Sequence, residues 1–358
     1  MDPRVTKHAE LIVDYSTQMK EGDNVLIQLT DTGMELAQEL YRLAASRGAN
    51  PLIVITPTET TRQYYNIDPK YLNNFPEHLY ELTKNSDIIV SIRSEDNLKA
   101  LSSVDPKKLS TRSIALKNIQ EERLHKRWCL TQYPTQAYAQ EAEMSLNEYA
   151  DFLYSAILLD WKKERMIMEK VKEALDKGDT VHLEGTDTDL TMSILGRNAV
   201  VGDADNNVPG GETFTAPVEG SAEGKIYYDF PAIMYGKEVR DIRLRFEKGE
   251  VIDYSASKNE DLLKAMLDTD EGARRLGELG IGTNYGITRF TKNILLDEKI
   301  GGTIHLALGR AYEECRGLNK SAIHWDMIKT MKPGKITVDG TLLQKDGIFQ
   351  WAKSNAAS

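Results

Sequence analysis

Cysteine is nearly absent. The 358-residue chain holds only Cys129 and Cys315, far apart and without the C-x-x-C spacing of a zinc ribbon or a redox pair. That scarcity argues against a disulfide framework, and both residues read as small buried hydrophobes or free thiols. Long apolar runs are missing as well: stretches such as Ala156 to Leu159 fall far short of the roughly 20 residues that a membrane span needs. Asp2, Arg4, Lys7 and Glu10 interrupt the first residues, so no secretory h-region is expected and the cytoplasm is the expected location. No basic block occurs, and a formal charge of −10 with both signs interspersed argues against a nucleic-acid partner. No G-x-G-x-x-G follows a strand, GIGTNYG from Gly280 missing it by one position, and no Walker loop occurs. The single-zinc signature H-E-x-x-H is absent too, because Leu306 and Ala307 follow His305 and Trp325 and Asp326 follow His324.

What is present is the balance of a soluble globular protein, 41% hydrophobic and 28% charged, with length enough for two domains. Residues 1–140 predict an α/β domain built on a mainly parallel sheet. Asn24–Leu29, Pro51–Ile55, Asp87–Ile92, Ser113–Leu116 and Trp128–Thr131 read as strands, and Met34–Arg47 and Pro69–Lys84 as helices. One long helix is predicted from Leu146 to Lys177, ended by Gly178. Residues 141–358 then predict an α+β domain rich in antiparallel strands. Its strand runs are Thr180–Leu183, Thr188–Ile194, Glu212–Pro217, Lys225–Asp229 and Val239–Phe246, the last turning at Lys248–Gly249 into Val251–Ser255.

Of six histidines, His8, His78, His125 and His182 lie among charged residues and read as solvated or structural. His305 and His324 differ. In GTIHLALG, strand alternation places His305, Ala307 and Gly309 on one face, so the imidazole has small neighbours. In SAIHWDM, His324 and Asp326 share a face while Ile323, Trp325 and Met327 take the other. Such a pair suits one shared metal ion or an ordinary His–Asp hydrogen bond equally well. Three glutamates occupy unusual settings. Glu212 follows the turn Pro209–Gly210–Gly211, Glu278 lies in the glycine-rich GELGIG, and Glu298 lies in LDEKI seven residues before His305. Each alone reads as a surface residue. Together with both histidines and Asp326 they form a mixed carboxylate and imidazole set able to hold two ions. Arg197 reads as a structural ion-pair partner or as a contact for a substrate carboxylate.

The runs PGGE-TF-AP, GELGIG-N, ILLDE, IHLALG followed by a tyrosine, and HWD, in this order, resemble the M29 (aminopeptidase T) family. The early GDNVLI strand and the helix ending in RGAN agree. The resemblance implies a metallo-aminopeptidase that takes peptide substrates and works as a homodimer. It implies Glu212, Glu278, Glu298, His305, His324 and Asp326 as ligands of two divalent ions: zinc, cobalt, manganese or magnesium. Tyr312, seven residues after His305, is implied as catalytic, with Glu278 the first candidate for carrying a proton to the leaving amine. Ring-cleaving dioxygenases similar to this fold supply the rival reading, in which His305, His324 and Asp326 would hold one ferrous ion.

Overall fold

A computed structural model describes residues 2–351, which form two compact units, residues 2–158 with Ala204–Gly210, and Leu159–Asp203 with residues 211–351. The first unit carries a five-stranded sheet ordered Asn50–Ile55, Asn24–Leu29, Ile88–Arg93, Arg127–Gln132 and Asn207–Val208, parallel at every pairing. Its central strands are apolar on both faces, with Val25, Leu26, Ile27, Ile88, Ile89 and Val90 all buried. That is the signature of a parallel sheet covered on each side.

Three sequence expectations fail here for identifiable reasons. Ser113–Leu116 is not a strand: Pro106–Ala115 is a helix, entered through Pro106 and capped by the Asp105 carboxylate, which accepts from the Lys107 N–H. Ile114 is exposed, so its short apolar run marks no buried strand. The segment Pro69–Lys84 is a 3₁₀ turn, Pro69–Asn73, and a separate helix, Glu77–Lys84, because Pro76 bars helical continuation from the residue before it. The helix expected over Leu146–Lys177 is two, Leu146–Ile157 and Trp161–Lys177. Ser145 and Glu148 close the first in a capping box, and the Asp160 carboxylate accepts from the Lys163 N–H to start the second.

The second unit holds two larger sheets. One has eight strands, ordered Glu250–Ser255, Arg243–Glu247, Glu223–Tyr227, Thr188–Ser193, Thr180–Gly185, Gly334–Val338, Thr341–Lys345 and Ile348–Phe349. The other has five, ordered His324–Thr330, Thr303–Gly309, Leu276–Gly282, Glu212–Thr215 and Val200–Gly202, antiparallel throughout. The larger sheet sends Val181, Leu183, Ile226 and Phe246 into one apolar core, and the smaller sends Leu279, Ile281, Ile304 and Leu306 into the same core. One face of the five-stranded sheet is thereby spent on packing, and its other face is free for chemistry. The hairpin Ala232–Met234 and Lys237–Val239 stands apart, its first strand against His324–Thr330.

Two of the histidines read as solvated or structural have definite partners. His8 lies on the inner side of the helix Pro3–Glu10, fully buried, with its Nε2 2.8 Å from Thr131 Oγ1. His182 sits between Glu184 and Asp189, 2.7 Å from the Asp189 carboxylate. Arg197 takes its structural role: it pairs with Glu219 at 2.6 Å and donates to the Arg316 carbonyl. Cys129 and Cys315 are buried free thiols.

Candidate metal centre

Strand register carries the candidate residues to one face. Across the five-stranded sheet, Ala307 lies between Asp326 and Glu278, Gly309 faces His324, and Gly280 faces His305. The small residues are required by volume. A Cβ on Gly280 would stand 2.0 Å from the His305 Cε1, so the imidazole occupies the room that glycine leaves. Glu278 reaches this face through an irregularity. The pairing shifts between Leu276 and Glu278, with Gly277 unpaired. In a regular strand these two residues would share a side, yet Leu276 is in the core while Glu278 faces the histidines. The bulge reverses the alternation. Glu212 begins its strand directly after Gly211, which has φ +119° and no room for a Cβ against Asn284.

The side chains converge in two trios that share Glu278. The ligand atoms of Glu212, Glu278 and His305 lie within 4.8 Å of one another, as do those of Glu278, His324 and Asp326. His305 Nε2 is 3.1 Å from Glu278 Oε1 and 3.6 Å from Glu212 Oε2. His324 Nε2 is 3.3 Å from Glu278 Oε2 and 3.4 Å from Asp326 Oδ1. Glu298 belongs to neither trio. It follows the short helix Ile294–Asp297 and lies against Lys299 Nζ, which also reaches Glu212 Oε1 at 3.3 Å. Tyr312 packs its ring 4.9 Å from the His324 ring and edge-on to Phe214 at 5.9 Å.

These residues suit divalent cations. Each imidazole places its Nδ1 at a backbone carbonyl, His305 at Glu298 O (3.0 Å) and His324 at Arg310 O (2.7 Å). Donation from Nδ1 leaves the Nε2 lone pair facing carboxylate oxygens, a repulsive contact unless a proton or a metal ion lies between. Asp326 Oδ1 is buried and accepts no hydrogen bond. Four carboxylates, Glu212, Glu278, Glu298 and Asp326, share the site with one ammonium, Lys299, which pairs with only Glu212 and Glu298, so the burial of this much negative charge calls for further cations.

Without metal, protons take that place. Burial disfavours the charged form of His305, but Glu278, Glu212 and Asp326 prevail and raise it to about 10. At His324 burial is likewise outweighed, by Asp326 and Glu278, and the value rises to about 11. Because both folded values lie above the ordinary 6.5, the stabilisation is complete below pH 6.5 and is lost as pH climbs through 10 to 11. The chelated protein should therefore lose melting temperature steadily from pH 7 to pH 11, and the metal-loaded protein should lose much less, because cations and protons compete for Nε2. Parallel melting curves of the two forms across that range would contradict this account.

Lys299 is a part of the site that sequence reasoning missed. Its side chain is fully buried, and burial, which favours the neutral amine, is overcome by Glu212 and Glu298, which raise its pKa. In LDEKI it looks like an ordinary surface charge. The only sequence signal is its place directly after Glu298, one of the candidate ligands. Lys299→Met should destabilise the metal-free protein by about 3–5 kcal/mol, the typical consequence of unpairing a buried ion. Denaturant titration with and without divalent metal measures this, and part of the loss should return with metal.

The geometry gathers carboxylates and imidazoles able to hold a metal ion on the face of the antiparallel sheet opposite the apolar core. Residues 1–349 match the profile of the family described as thermophilic metalloprotease (M29), and the chain belongs to that family. It is 25% identical to Aminopeptidase 2 of Geobacillus stearothermophilus, over 97% of this chain and 95% of the relative. It is 26% identical to Aminopeptidase T of Thermus thermophilus over 95% of each. Among solved structures, wild-type AmpT from Thermus thermophilus superposes with a TM-score of 0.87 over 97% of this chain and 99% of that one, at 23% identity. A 2,5-dihydroxypyridine dioxygenase from Pseudomonas putida shares the fold at TM-score 0.65 and 16% identity, over 98% and 97% of the two chains.

Proposed function

We propose that this protein is a metal-dependent aminopeptidase that removes N-terminal residues from peptides, with two divalent ions held by Glu212, Glu278, His305, His324 and Asp326. The observation that carries the reading is the pair of trios joined through Glu278. Zinc, cobalt, manganese or magnesium would supply an activated water and polarise the scissile carbonyl. The two histidines fall in different trios, which speaks against one ferrous ion held by both histidines and Asp326.

The roles of the side chains follow from their surroundings. Glu278 contacts both imidazoles, so holding cations absorbs it, and the proton-carrying role expected of it passes to Glu298. Burial raises the Glu298 carboxyl to about 7, with Lys299 opposing and Glu212 and Asp326 assisting. Buried beside the cation site without belonging to either trio, it is the carboxyl available to carry a proton. Tyr312 is kept as the neutral phenol, first by burial and then by Glu278, Asp326 and Glu298, so its O–H donates to the carbonyl oxygen as charge develops there.

No helix among the described residues is long and apolar enough to cross a membrane. A cytoplasmic homodimer is the corresponding proposal for the assembled enzyme, testable by light scattering. Chelation followed by dialysis should remove activity on aminoacyl p-nitroanilides, and re-addition of one of the four metals should restore it. Removal should also lower stability by about 2.7 kcal/mol relative to a solution holding metal at 100 times its Kd. Full activity in chelated, metal-free protein would refute the assignment.

A further inference from the structure

A cavity of about 130 Å³ opens beside the cation site, and His324 and Asp326 belong to both. Its walls are apolar: Ile233, Met234, Phe290, Ile294 and Ile328. Ile328 is set by strand periodicity. It follows His324 and Asp326 at steps of two on one face of His324–Thr330, and its cross-strand partner is His305. The hairpin strand Ala232–Met234 supplies the facing wall, and Phe290 is fixed there by stacking on Phe230 at 5.1 Å.

Two charged residues also line the cavity, and both are engaged elsewhere. Lys292 pairs with Glu238 at 3.2 Å. The Asp297 carboxylate accepts from the Thr291 N–H, the Thr291 hydroxyl and the Asn293 N–H. Apart from Asp326, which belongs to the cation site, a charged guest would find no free counter-charge, whereas an apolar one would meet a mostly apolar wall. The volume is close to the ~150 Å³ of an engineered cavity that admits benzene.

From this we infer that the cavity receives the side chain of the substrate's N-terminal residue, and that it selects neutral, medium-sized apolar groups of the leucine, methionine and phenylalanine class. Ile328 is the floor and Ile294, which is partly solvent-exposed, the mouth. The inference rests on the aminopeptidase reading, because a substrate amine held at the His324 and Asp326 end puts its side chain on the strand face that leads to Ile328.

The test compares kcat/KM for leucyl, alanyl and lysyl p-nitroanilides in metal-loaded wild type, Ile328→Phe and Ile294→Asp. Thermal shifts caused by free L-leucine, L-alanine and L-lysine give a readout independent of turnover. Wild type should prefer leucyl over alanyl by about 10-fold or more, since a single methylene in an apolar pocket discriminates by roughly 10- to 200-fold. Filling the floor in Ile328→Phe should lower the leucyl-to-alanyl ratio by about 10-fold. Placing a carboxylate at the mouth in Ile294→Asp should raise the lysyl-to-leucyl ratio by a similar factor of about 10, and should enlarge the shift given by lysine. Ile294 is 42% exposed, so that variant decides the matter if Ile328→Phe does not fold. Unchanged ratios in a folded, active variant overturn the pocket assignment and leave the aminopeptidase reading standing. A wild type that holds metal but cleaves none of the three substrates overturns both.

Discussion

Glu278→Gln removes the one carboxylate common to both trios, and metal retention and turnover should fall together. Each trio loses a charged oxygen, from Oε1 beside His305 and from Oε2 beside His324. Removing one member of a buried charge constellation costs about 3–5 kcal/mol, which corresponds to a roughly 10²- to 4 × 10³-fold loss of affinity in total. Metal analysis after dialysis, together with peptide hydrolysis at saturating metal, measures both effects. The change is nearly isosteric, so secondary structure by circular dichroism should match wild type. If the variant keeps its full metal complement and normal rate, Glu278 is not the shared ligand and the two-trio description collapses.

Tyr312→Phe should do something different: it should lower kcat by about 10²- to 10³-fold, the usual consequence of losing one donor to a developing oxyanion. Metal content and KM should stay close to wild type. The split is diagnostic because the ring contacts to His324 and Phe214 survive in phenylalanine, so only the O–H is removed. A loss confined to KM, or a loss of metal, would reassign Tyr312 to packing against the site. Measuring kcat, KM and metal stoichiometry on one preparation separates these outcomes.

Close strand packing and the convergence of Glu278 and His305 also account for the glycines of GELGIG. Gly277 takes the unpaired bulge position, where a Cβ would come within 2.4 Å of the Gly309 carbonyl oxygen, and Gly280 leaves the volume that His305 fills. The sequence marks both as places where backbone approaches something closely. It does not say what approaches, because the partners, His305 for Gly280 and Gly309 for Gly277, lie 25 and 32 residues away on the neighbouring strand.

By itself the sequence determined the α/β class, the alternation that puts His305 opposite small residues and His324 beside Asp326, and the glycine turn that leads into Glu212. These depend on period-two geometry and local backbone freedom, which neighbouring residues encode. The tertiary structure alone decided the rest. It flipped Glu278 through a bulge, divided the candidate ligands into trios sharing one carboxylate, and buried Lys299 between Glu212 and Glu298. The physical reason is that desolvation and charge balance are summed over atoms brought together from distant strands. LDEKI looks the same in sequence whether its lysine faces water or two buried carboxylates.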